Sequence, residues 1–290
     1  MYFRSLSKSI LVYLLSIIII TNIFLGISNV KVLISDELIH YLYPTVEEFT
    51  KHSDKVVIAF SGGVDSSLLA KICKDLDKQV HLVTIGFANS HDIIFSKSIS
   101  NSLSLSTNHI AYEIKEEDVL HNIKFVKSKL SCNVLSHIEN CIAFYQISKI
   151  IKYHELGDSF LTANGFDELF CGYDRYRSYY ENGEESITTF MEEKLTNEDH
   201  MMREISNVIA ELKICSYQPF LSRTFIEYAK TIPLEYKIKG QDDLLRKHVL
   251  REAAMKIGVP KEAAMHPKKA IQYGSLIHKY LIKNKSILKV

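Results

Sequence analysis

The 290-residue sequence has almost no net charge, since 35 lysines and arginines against 34 aspartates and glutamates leave +1. No whole-molecule field draws such a chain onto a phosphate backbone, so general nucleic-acid binding is not expected. Paired cysteines are missing too: Cys73, Cys132, Cys141, Cys171 and Cys215 are odd in number, widely spaced and without a C-x-x-C pair. Such a set builds neither a disulfide framework nor a zinc knuckle and suits a reducing compartment, which makes a cytoplasmic location the expectation. Nor is the chain poor in apolar residues, with 47% hydrophobic and 24% charged. It can bury a sizeable core and lies far from the composition of disordered proteins. Its length is large for one ordinary domain and short for two, so one large domain, or one with an appended lobe, is expected.

The hydrophobic pattern alternates between two periods. Residues 36–52 carry Leu38, Tyr41, Leu42, Val46 and Phe49 at helical spacing. The β-branched run Lys55–Phe60 then predicts a strand, Ser61-Gly62-Gly63 a turn, and Leu68, Leu69, Ile72 and Leu76 the inner face of a helix. Val80–Gly86, His109–Ile114 and Ser159–Thr162 read as further strands, separated by helical segments that include Val134–Tyr153. Repeated strand and helix alternation predicts an α/β fold, a doubly wound parallel sheet covered on both faces. Ligands of such sheets bind beyond the carboxyl ends of the strands. From about Ile187 no strand pattern survives, and Phe225–Ala229 and Leu244–Ile257 read as helices, so a C-terminal helical lobe is expected.

Ser61-Gly62-Gly63-Val64-Asp65-Ser66-Ser67 is the most informative stretch. Two glycines let successive N–H groups point into one concavity, and the helix that follows adds its positive end, so an anion such as pyrophosphate belongs there. The stretch has no lysine of the G-x-x-x-x-G-K-[ST] kind and is not a G-x-G-x-x-G loop, which counts against kinase-like γ-phosphate transfer. An ordinary turn opening a helix would use some of the same residues.

This loop resembles the pyrophosphate loop of the N-type ATP pyrophosphatases, a superfamily with an adenine nucleotide alpha hydrolase-like fold that cleaves ATP between the α and β phosphates. Thr162-Ala163-Asn164-Gly165-Phe166-Asp167-Glu168-Leu169-Phe170-Cys171-Gly172-Tyr173 is in turn similar to the S-G-E-G-A-D-E-L-F-G-G-Y signature of the asparagine synthetase and β-lactam synthetase family. Pro267-Lys268-Lys269-Ala270-Ile271-Gln272-Tyr273-Gly274-Ser275 is similar to that family's K-K-A-x-Q-Y-G-S segment. Gln218–Arg223, Ile232–Lys237 and Leu245–Arg251 add matches, so the resemblance runs from about Lys55 to Ser275.

The resemblance implies an ATP- and Mg²⁺-dependent ligase that adenylates a carboxylate, most readily the aspartate side chain, and gives an amide with ammonia. It places ATP against Ser61, Gly62, Gly63, Asp65, Ser66, Ser67, Ile85, Thr162 and Ala163. Asp65 and Asp167 are the natural Mg²⁺ ligands, because hard carboxylate oxygens suit that ion. Lys268, Asp167, Glu168 and Asn164 are the catalytic candidates, with Lys268 at the family's charge-neutralising lysine. Without the flanking match, Asp167-Glu168 would read as a solvated helix start and Lys268 as a surface lysine.

Departures from the pattern are informative. Asn164 stands where the family has glutamate, and an amide hydrogen-bonds but accepts no proton. Ser222 replaces a usual aspartate, and His266 stands where arginine is common. Glutamine-dependent members carry a nucleophilic cysteine directly after the initiator Met, whereas here that residue is Tyr2. The expected nitrogen source is therefore free ammonia, a separate glutaminase subunit or another amine. Two rivals remain open, a tRNA-modifying relative and a non-catalytic ATP-binding subunit. The tyrosines 173, 176, 179 and 180 with Arg175 and Arg177 either line an entrance or pack a helix, and packing is the expectation.

Residues 1–29 stand apart as an apolar leader, with 30–290 as the synthetase-like domain. Ile10–Ile27 is uncharged, follows Arg4 and Lys8, and is just long enough to span a bilayer. It reads as a membrane anchor, as a signal peptide with a poor cleavage site at Gly26-Ile27-Ser28, or as a start assigned too early. The positive-inside rule would put the rest outside the cytoplasm, in conflict with a site for ATP, and a start near Val30 removes that conflict.

Overall fold

The computed structural model describes residues 33–130 and 133–286, so the apolar leader lies outside the described residues. Helix α1 (Ile34–Thr50) opens the described chain and buries Leu38, Leu42 and Val46, one residue per turn. Then follow β1 (Lys55–Ala59), α2 (Val64–Asp75), β2 (Gln79–Gly86), α3 (His91–Ser102), β3 (His109–Glu113), α4 (Glu116–Lys129), α5 (Leu135–Tyr153) and β4 (Ser159–Leu161). Beyond them lie α6 (Phe166–Leu169), α7 (Tyr176–Tyr180), α8 (Glu184–Ile209), β5 (Cys215–Tyr217), α9 (Arg223–Thr231), α10 (His248–Lys256), α11 (Lys261–Ala264), α12 (Ile271–Gly274) and α13 (Ile277–Lys283).

The strands form one sheet in the order β3-β2-β1-β4-β5, with every pair parallel. This is the doubly wound α/β architecture expected from the alternating periods. Strand pleating sorts residues between two cores: Val56 and Ile58 join one with α1, α2, α9 and α10, while Val57 joins the other with α4, α5, α13 and the later half of α8. The winding reverses between β1 and β4, which opens a crevice at their carboxyl ends.

Two local expectations need correction. A strand does occur after Ile187: β5 pairs with β4 through Ser159 and Cys215, Phe160 and Ser216, and Leu161 and Tyr217. Three residues are too few to display a period-two pattern. The helix expected from Leu244 starts only at His248, because Arg246 and Lys247 take left-handed backbone angles, with φ of 50° and 55°. Those two residues turn the chain and aim Lys247 inward, as the site geometry shows. Among the described residues no helix is long and apolar enough to cross a membrane.

A cluster of phenylalanines anchors the loop after β4. Phe166 stacks on Phe220 with ring centroids 3.9 Å apart and meets Phe225 edge-on at 5.9 Å. Gly165 beside it has φ +109°, and a Cβ there would lie 2.7 Å from the Phe220 carbonyl oxygen. Packing thus holds the signature loop against the segment around Phe220. Phe166→Ala is expected to cost about 3 to 5 kcal/mol in urea unfolding, whereas Ile94→Ala, at an exposed position on α3, should cost less than about 0.5.

Candidate active site

Loops from adjacent strands build the site. After β1, Ser61–Gly63 curls into the N-terminus of α2, and Gly62 takes φ +80°, a region that disfavours side chains. The loop's own serines fix its shape: the Ser61 N–H donates to Ser66 Oγ at 3.2 Å, and the buried Ser67 hydroxyl donates to the Gly62 carbonyl at 3.0 Å. Gly62 and Ser67 therefore shape the loop, whereas Ser61, Asp65 and Ser66 face a cavity of about 320 Å³. Ile85 at the end of β2, with Thr162, Ala163 and Asn164 after β4, lines the same cavity. So do Asp167, Glu168 and Lys268. Of the expected catalytic, metal-holding and ATP-contacting residues, Gly62, Gly63 and Ser67 stay off this wall, and Gly63 borders a smaller cavity directly beside it.

Charge is concentrated at the centre. Lys247, 1% exposed, bridges the two strand-end loops, with its ammonium 2.8 and 2.7 Å from the Asp65 carboxylate oxygens and 2.7 Å from Asp167 Oδ1. Lys268 pairs with Asp167 Oδ2 from the opposite side. Burial alone would raise the Asp167 carboxyl, but Lys247 and Lys268 together hold it well below the ordinary carboxylate range. The Lys268 ammonium is in turn held protonated, because Asp167 and Asp65 outweigh its burial. Gly172 makes this approach possible, since a Cβ there would overlap both Asp167 Oδ1 and Lys247 Cε.

Around this centre lies a rim of carboxylates. Glu168 accepts from the Gly165 N–H at 3.1 Å and from the Tyr173 hydroxyl, so it fixes the signature loop. Its carboxyl is raised by burial and by Asp167. Glu198, buried on α8, accepts from Asn164 Nδ2 at 2.6 Å, and burial with nearby Glu168 pushes its carboxyl well above the ordinary value. An acidic side chain from a different element thus lies against Asn164. Tyr173 reaches the cavity, whereas Tyr176 is fully buried and Tyr179 stacks on Phe190 at 4.4 Å, so the tyrosine stretch is mainly packing. His266, where the family has arginine, lies 3.2 Å from His91, nitrogen to nitrogen, beside the smaller cavity.

Sequence reasoning missed Lys247, Glu198 and Asp92. Lys247 lies within the matched Leu245–Arg251 run, but its role depends on the left-handed turn. Glu198 and Asp92 have no motif signal and reach the cavity by tertiary packing alone.

A glycine-containing loop at a helix N-terminus, two strand-end carboxylates and a lysine pair thus meet at the reversal of a parallel sheet, the place where folds of this kind bind their ligands. The Asparagine synthase family model matches residues 37–213 and 186–285, and the chain belongs to that family. A Methanocaldococcus jannaschii protein named "Putative asparagine synthetase (glutamine-hydrolyzing) 1" is 32% identical over 261 aligned residues, covering 77% of this chain and 46% of that protein. An asparagine synthetase domain-containing protein of Drosophila melanogaster is 23% identical over 262 residues, covering 77% of this chain and 45% of its own length. The chain thus spans about half the length of these relatives.

The charge pattern has a consequence for stability. Asp92, buried on α3, is pushed up to about 7 by burial, against the pull of Lys269 and Lys268, from an ordinary value of 3.8. The folded state therefore holds this proton more tightly than the unfolded state, and stability falls as pH rises from about 4 to 7. Asp92→Asn should remove that fall, so that the variant gains about 1 to 3 kcal/mol over wild type between pH 5 and 8 in denaturant titrations.

Proposed function

We propose that this chain is an ATP- and Mg²⁺-dependent ligase that adenylates the side-chain carboxylate of aspartate, releases pyrophosphate and passes the acyl group to ammonia with loss of AMP, giving asparagine. The observation that carries this reading is the convergence of the Ser61–Ser66 loop, Asp65, Asp167 and Lys268 on one cavity. Family membership supports amide-forming, ATP-dependent chemistry, and the residues gathered on the cavity wall support this division of its parts.

Ile85 and Ala59 give the far wall an apolar surface suited to a flat base, while loop N–H groups and the start of α2 suit the phosphates. The donor set fits Mg²⁺: Asp65 and Asp167 are hard carboxylates on the cavity wall, which pair with Lys247 and Lys268 here and could turn oxygens to an ion. Bound there, the ion would offset triphosphate charge. A substrate carboxylate oxygen attacks the α-phosphorus, the bond to the bridging oxygen breaks, and charge builds on departing pyrophosphate. Lys268 and Lys247 present fixed positive charge at that place, without reorganisation in the transition state. Glu198, in contact with Asn164 on the cavity wall, is placed to take, in its ionised form, a proton from the incoming amine as the acyl C–O bond breaks and AMP leaves. The nitrogen comes from free ammonia or from a separate glutaminase subunit.

The direct test is carboxylate-dependent exchange of labelled pyrophosphate into ATP, screened over aspartate and its analogues. Aspartate-dependent exchange supports the reading, and its absence with every carboxylate contradicts it. Lys268→Ala should slow exchange by about 10² to 10³ while leaving ATP affinity nearly unchanged, because the charge it meets is larger in the transition state than in bound ATP. Glu198→Gln should keep exchange but reduce ammonia-dependent amide formation by about 10² or more. Equal loss of both steps in Glu198→Gln would show that Glu198 serves adenylation or folding instead.

A further inference from the structure

Outside the charged centre, α5 and α8 bring a second group of metal-ligating side chains together. His137 lies on α5, and His200 and Glu204 lie one turn apart on one face of α8. One ligand atom from each of the three falls within 4.8 Å of the others. His137 and Glu204 are buried, whereas His200 is exposed, so the cluster stands at the edge of the helix interface with one side open to solvent.

We propose that His137, His200 and Glu204 form a binding site for a borderline divalent metal ion of the zinc class, which staples α5 to α8. Two imidazoles and one carboxylate are a common zinc set, and the open side leaves room for a water as fourth ligand. Zinc bonds of about 2.0 to 2.2 Å at tetrahedral angles separate ligand atoms by roughly 3.4 Å. His137 Nδ1 and Glu204 Oε2 are 2.6 Å apart and the whole set lies within 4.8 Å, so small side-chain shifts in both senses produce the required spacing.

The ring contacts of His137 point the same way. Its Nδ1 faces Glu204 Oε2, and its Nε2 faces Asn197 Oδ1 at 3.3 Å. In the tautomer whose Nε2–H donates to Asn197, Nδ1 turns its lone pair towards the Glu204 side, where an ion can be held by both residues. A partner that orients the far ring nitrogen is the usual outer-shell support of a ligating histidine. Magnesium prefers oxygen ligands, so this ion differs from the one proposed beside the pyrophosphate loop.

The site shares its helices with the cavity. Ser136 and Asn140 flank His137 on α5, and Asn197, Glu198 and Met201 flank His200 on α8, all on the cavity wall. A bound ion would fix the separation of these two helices and with it the setting of Glu198. The proposal stands independently of the ligase reading.

The test uses the full chain, stripped with a chelator and titrated with zinc chloride against a chromophoric competitor, then loaded with cobalt(II). We expect one equivalent of zinc, visible cobalt bands of four- or five-coordinate nitrogen and oxygen ligation, and no competition from millimolar Mg²⁺. His200→Ala, at an exposed position, should keep wild-type helicity and lower zinc affinity at least tenfold. Glu204→Gln should lower it too. Unchanged affinity in both variants, or zinc binding abolished by His266→Ala alone, would overturn the proposal, the latter by moving the ion to His91 and His266.

Discussion

One ammonium group holds the two halves of this site together. Lys247 lies almost wholly out of water between Asp65, from the loop after β1, and Asp167, from the loop after β4. Removing one member of such a buried set leaves an uncompensated charge and typically costs about 3 to 5 kcal/mol. That constraint explains several otherwise odd local features. Gly172 must lack a side chain for the contact to form, and Arg246 and Lys247 must both adopt left-handed backbone to reach it. Arg246 donates to the Gly172 carbonyl at 3.3 and 3.2 Å, which ties the turn to the signature loop it serves.

The arrangement is chemically directed as well as structural. Two carboxylates and two lysines share a small space, and there Asp167 stays ionised and Lys268 protonated despite burial. At the rim, Glu168, Glu198 and Asp92 are pushed the other way. Environments that drive similar groups apart in proton affinity are what allow one site to hold fixed charge at one point and move protons at another. Asn164 accepts no proton itself but donates to Glu198, the residue to which the proposed reaction gives that task. The substitution that set the sequence apart from its family is met by a carboxylate 34 residues further on.

Much of the fold was legible because the chain alternates between two hydrophobic periods, and β1, α2 and β2 have long enough runs to show them. The site was legible where it depends on contiguous motifs: the loop at Ser61, the Asp167-Glu168 pair and Lys268 all meet at one cavity. What escaped depends on geometry that no short window encodes. β5 has three residues and pairs with β4 only through the tertiary fold. Lys247 sat inside an apolar pattern that continues backward from α10, so the helix was read from Leu244, although a left-handed turn precedes it. Glu198 is one acidic residue among many on a long helix, and only the packing of α8 across the cavity distinguishes it.

The central claim is that this cavity transfers AMP to a carboxylate. Incubating the chain with ATP, Mg²⁺, ammonium and aspartate labelled with ¹⁸O in its side chain, then reading the products by ³¹P NMR, tests it at the reacting atoms. Attack on the α-phosphorus followed by amide formation leaves one ¹⁸O in AMP and none in pyrophosphate. Label appearing in inorganic phosphate, with ADP as the nucleotide product, would mean attack on the γ-phosphorus and would contradict the account.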